Sequence, residues 1–139
     1  MTTTRLQHWP ELLAAFIAGR QARPFEWGAN DCVTFTADAV LAITGHDPLE
    51  ALRGQWSDAA GAARAMVSAG GLLAALDDRF GEPLPSAGAC MAPRGSPVCV
   101  NVDGRLTLGI AAGNGCWCAP GERGLEHRPM SEVWLAWSV

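Results

Sequence analysis

Five cysteines (Cys32, Cys90, Cys99, Cys116, Cys118) and three histidines (His8, His46, His127) are the residues with which this chain could do nucleophilic or metal chemistry. A cysteine attacks as its thiolate, and the first turn of a helix favours that form because unpaired N–H groups and the helix dipole attract negative charge. Asn30 or Asp31 can cap a helix running to about Ile43, which puts Cys32 in its first turn. Ahead of it, Trp27-Gly28 allow a tight turn beside an aromatic wall. The plain alternative is a small buried hydrophobe at a helix start.

A nucleophilic thiol also needs a base within hydrogen-bond reach, oriented by a third polar group. His127, in Leu125-Glu126-His127-Arg128, is the candidate base, reaching Cys32 from a neighbouring strand. His46 lies past the end of the helix, about 20 Å from the sulfur at 1.5 Å rise per residue. His8 precedes the first helix and is expected at the surface.

Cys116 and Cys118 form a second constellation. Residues two apart on a strand point to the same face, so the pair reads as core or pocket-lining thiols, with Trp117 opposite. A metal site would need further ligands from Cys32, Cys90 or Cys99, and the spacing does not match ordinary zinc motifs. Gly113-Asn114-Gly115 lacks the lysine and helix of a phosphate loop and reads as a turn. No cofactor motif is present.

The elements that must position these residues fall into two halves. Helices are expected over Trp9–Arg20, from Cys32 to about Ile43, from a Ser57 cap to Ser68, and over Leu72–Phe80, giving a helical half over about residues 1–81. From about residue 95 to 139 the pattern alternates. Asp103-Gly104 joins two strands as a hairpin, another strand starts at Cys116, and Trp134–Val139 reads as a last strand. The expected fold is one α+β domain, N-terminal helices packed on a small antiparallel sheet.

Composition narrows the classes further. Hydrophobic residues make up 49% of the chain and charged residues 17%, which excludes disorder and leaves apolar surface for a partner. The net charge is −4 and all ten basic residues are arginine, without a basic run, so phosphate-driven nucleic-acid binding is not expected. No apolar stretch approaches a membrane span, and Met1 to Arg5 is polar rather than a secretory core, so cytoplasmic synthesis and reduced thiols are expected. The six tryptophans read as core or interface anchors.

The segment Phe25-Glu26-Trp27-Gly28-Ala29-Asn30-Asp31-Cys32-Val33-Thr34-Phe35 resembles the nucleophile segment of the NlpC-like, papain-related cysteine peptidases. Thr44-Gly45-His46-Asp47-Pro48, Arg53-Gly54, Gly70-Gly71, Leu108-Gly109-Ile110 and Ala136-Trp137 are similar to a branch found in tailed phages and prophages. The resemblance implies Cys32 as nucleophile, supported by Trp27, Gly28, Asn30 and Asp31, with a histidine opening the strand that here reads Thr107-Leu108-Gly109-Ile110. Thr107 stands in that histidine's place, and threonine cannot act as a base at neutral pH. The family's small-residue-plus-Asp lead into the first core strand is altered as well, to Gly95-Ser96-Pro97.

The expectation that follows is a tail-tip or baseplate component of a virion, catalytically degenerate, docked against the tail hub and other tail-tip proteins. The competing reading is an active endopeptidase or amidase on peptidoglycan that uses Cys32 with His127 or a partner's base. A connector holding metal through Cys116 and Cys118 is a third.

Overall fold

A computed structural model describes residues 4–139, Ser86 by its backbone only; Met1 to Thr3 of the polar N-terminal segment lie outside the described residues. The protein is α+β. Four helices come first: α1 Trp9–Arg20, α2 Cys32–Thr44, α3 Ala59–Ser68 and α4 Leu72–Phe80. Five strands follow: β1 Pro97–Val102, β2 Arg105–Gly113, β3 Cys116–Gly121, β4 Gly124–Pro129 and the two-residue β5 Leu135–Ala136. They form one antiparallel sheet in the order β4-β3-β2-β1-β5. Short 3₁₀ turns at Ser86–Met91 and Met130–Glu132 complete the chain. No single helix among the described residues is long and apolar enough to cross a membrane.

α2 is the central element, and its sequence suits a helix buried on several sides. Phe35, Ala39 and Ile43 pack with Leu13 of α1 and with Ile110 and Cys118 of the sheet. Ala37 packs instead with Leu49, Trp56 and Ala65. The buried threonines are satisfied within the helix: Thr36 and Thr44 donate their hydroxyls to the carbonyls of Cys32 and Val40, at 2.8 and 2.7 Å. Gly45, left-handed at φ +76°, ends the helix and donates its N–H to Leu41.

The opposite face of the sheet has its own core. Val98, Val100, Ala111, Trp117 and Ala119 pack there with Ala89, Met130, Val133 and Ala136. The two 3₁₀ turns therefore do on this face what helices do on the other. Asp103, at φ +53°, and Gly104, at φ +82°, form the expected tight turn between β1 and β2.

Several boundaries differ from the sequence reading. Asp58, not Ser57, caps α3, accepting the Gly61 N–H at 2.7 Å. The last strand shrinks to Leu135–Ala136, flanked by N–H bonds from Trp134 and Trp137 to the Cys99 and Pro97 carbonyls. β4 is a strand with Glu126, His127 and Arg128 at its centre, whose mostly exposed burial pattern hides the usual alternation.

Two glycines with similar dihedral angles separate a packing constraint from a conformational one. A Cβ on Gly28, at φ +80°, would collide with the Trp56 carbonyl oxygen, whereas Gly54, at φ +81°, has nothing within 4 Å. Gly28→Ala is expected to cost about 3 kcal/mol and Gly54→Ala about 1 kcal/mol, since only the first adds overlap to left-handed strain. Urea denaturation of the two variants checks the difference.

Candidate functional site

Asp31 is the residue that places Cys32. It caps α2 with its backbone extended, and its carboxylate accepts N–H groups from Gly28 at 2.9 Å, Thr34 at 2.8 Å and the Trp56 indole at 2.7 Å. The Thr34 hydroxyl returns the bond by accepting the Asp31 N–H at 2.9 Å, which completes a capping box. Of the two candidate caps the structure selects Asp31. Asn30, fully buried, holds the preceding loop: its amide donates to the Pro24 and Arg23 carbonyls and its oxygen accepts from Arg20 at 3.0 Å. Trp56, not Trp27, provides the aromatic wall. Trp27 is 40% exposed and stands edge-on to Phe25, with ring centroids 4.8 Å apart.

An ion-pair chain braces this corner. Asp38 of α2 bonds Arg20 at 2.7 Å and Arg53 at 2.6 Å, and Arg53 also reaches Asp47 at 2.6 Å. Those bonds hold the Asp47 carboxyl below its ordinary pKa. Only Asp47 and Arg53 are near in sequence, in one loop; Arg20 and Asp38 lie on separate helices, so spacing does not reveal the chain.

Cys32 is the first residue of α2, as expected, but its thiol is not activated there. Burial is the largest influence and pushes its pKa up to about 11, with the charge of Asp31 acting in the same direction. The Leu108 N–H and the first helix amides oppose this without overcoming it. The expected lowering by the helix start is thus corrected: desolvation outweighs the dipole.

The Leu108 contact shows where the sulfur sits. β2 and β3 pair as far as Ile110 and Cys118, and Leu108, next in register with Pro120, lies beyond that last pair. The Leu108 N–H meets the thiol at that free edge. Cys99 is close enough for the two thiols to influence each other, and its own pKa is raised to about 12.

The other sequence candidates are not brought to the sulfur. Thr107 pairs with Val100, so strand alternation turns it to the Val100 face of the sheet, while Leu108 takes the α2 face. His127 pairs with Cys118 on β4, two strands and about 10 Å from Ile110, and its exposed ring bonds Gln21 at 3.2 Å. His46 follows the far end of α2 and His8 precedes α1. Cys116 and Cys118 also part company: Cys118 is fully buried under α2, while Cys116 is half-buried and lines a separate cavity. No cluster of three or more His, Cys, Asp or Glu suited to a metal occurs among the described residues.

A family model described as a domain of unknown function, DUF6950, matches residues 4–139. The chain belongs to that family. No curated protein and no solved structure matches it. In this DUF6950 chain, then, the site is a capped helix start and a half-buried Cys32 whose thiol lies against Leu108.

The raised thiols give the fold an alkaline limit. Cys32, Cys99 and Cys118 are neutral in the fold, with pKa values of about 11, 12 and 12 against an ordinary 9.0. A raised folded-state pKa contributes stability that is complete below the unfolded value and is lost as pH rises through the folded one. The urea midpoint is therefore expected to hold to about pH 8.5 and fall by about pH 11, less steeply in Cys32→Ala. In the native protein near pH 7.5, iodoacetamide should label exposed Cys90 well before Cys32, a difference that denaturant abolishes.

Proposed function

We propose that this chain is a tail-tip or baseplate component of a tailed phage or prophage, with an NlpC-like cysteine peptidase fold retained for docking rather than hydrolysis. One observation carries the reading. A cysteine opens the central helix against an antiparallel sheet, yet its thiol is held neutral and each of the three histidines is placed elsewhere. A peptidase needs that thiol as thiolate beside a base, and here burial opposes the charge while the exposed His127 ring bonds Gln21 instead. The tail hub and neighbouring tip proteins are the proposed partners, and peptidoglycan would be the target only of an active form.

The surface supports docking. Trp27 and Trp134 are 40% and 41% exposed, and Val102 is 58% exposed at the β1–β2 hairpin. Tryptophan is a common interface anchor because it buries a large area while keeping one polar edge.

Two measurements on the reduced, purified chain decide the matter. It is expected to release no soluble fragments from peptidoglycan and to co-purify with the hub and tip proteins encoded beside its gene. Trp27→Ala or Trp134→Ala should weaken that association about tenfold. Release of fragments that disappears in Cys32→Ala would instead establish the hydrolase, with His127→Ala testing the base. Failure to associate with every neighbouring tail protein would remove the docking role.

A further inference from the structure

Sulfur is distributed unevenly in this molecule. Cys99 and Cys118 are sealed in the core, whereas Cys90 and Met91 are exposed, Met91 to 80%. Free cysteine is among the most buried residue types, so an exposed one beside an exposed methionine is unusual. Both line a cavity of about 240 Å³ together with Cys116 and Met130. Three elements bring the four residues there: the Ser86–Met91 turn, the start of β3 and the Met130–Glu132 turn.

The walls are fixed by main-chain bonds. Met130 donates its N–H to Gly115 at 2.8 Å, Cys116 pairs with Pro129, and the Gly95 N–H holds the loop after Met91 to the Ala111 carbonyl at 2.8 Å. Met130 is 8% exposed and forms part of the buried wall, while Met91 lies at the exposed rim and carries a flexible, unbranched side chain.

We propose that Cys90, Cys116, Met91 and Met130 form a binding site for a thiophilic monovalent cation of the Cu(I) class. Thiolates and thioethers are soft ligands, and this mixture selects Cu(I) over Zn(II), which takes thiolate, imidazole or carboxylate ligands. Binding releases one proton from each thiol and changes no oxidation state. The resulting bis-thiolate complex carries one negative charge, and Arg94, which lines the same cavity, is the nearby residue of opposite charge. The site is separate from Cys32 and independent of the docking role.

The test uses the full, reduced chain under anaerobic conditions, titrated with Cu(I) held by bicinchoninate as a coloured competitor. One equivalent is expected to pass to the protein, and Zn(II) should not displace it. Cys90→Ser and Cys116→Ser should each weaken binding about tenfold or more, and Met91→Leu by less. Circular dichroism verifies that each variant keeps its fold, which exposed Cys90 makes straightforward. The proposal is overturned if the wild type withdraws no copper, or if the Cys90→Ser and Cys116→Ser variants withdraw it as well as the wild type. It also fails if the cysteines prove to serve only as a disulfide pair, seen as a Cys90–Cys116 linkage in air and no metal uptake after reduction.

Discussion

The structure depends first on one buried carboxylate. Asp31, 2% exposed, takes N–H groups from the loop before it, the helix after it and an indole 25 residues away. A buried carboxylate is costly unless its lone pairs are used, and these bonds use them. The same contacts make the Gly28 position intolerant of a side chain and bring Trp56 against the start of α2. Once α2 starts there, its apolar residues have fixed directions, toward α1, toward the Leu49–Trp56 segment and toward the sheet.

The same placement governs the chemistry of Cys32. A helix start offers partial positive charge to any group placed there, while burial separately disfavours the charged form of that group. Here the sulfur is pressed between α2 and the sheet, beside another thiol and an aspartate, with a single strand N–H facing it. The electrostatic gain from the dipole is smaller than the desolvation cost of a thiolate. Position at a helix start and activation as a nucleophile are therefore separate properties, and this chain has the first without the second.

Tertiary placement also separates residues that sequence puts together and joins residues it keeps apart. Cys116 and Cys118 differ by two positions but serve different surroundings, at a strand end beside the Ala111–Gly113 bulge. Arg20 of α1, Asp38 of α2, and Asp47 and Arg53 of the loop after α2 come from three segments and form one continuous ion-pair chain. A partly buried chain of this kind holds geometry better than isolated surface pairs do, because each guanidinium is oriented by two carboxylates or by a carboxylate and an amide.

The sequence by itself determined the local elements. Apolar spacing in Trp9–Arg20 and Leu72–Phe80, a polar cap at Asn30 or Asp31 before Cys32 and the Asp103-Gly104 turn encode helices and a hairpin through contacts a few residues long. The polar strand Gly124–Pro129 was not legible, since a strand with few buried residues loses the alternation that marks it. Only the tertiary structure decided what surrounds the Cys32 sulfur: which face of β2 Thr107 takes, where the β2–β3 pairing stops, and on which strand His127 sits. Those depend on strand register and desolvation, which are set by contacts many residues apart, and no local spacing carries that information.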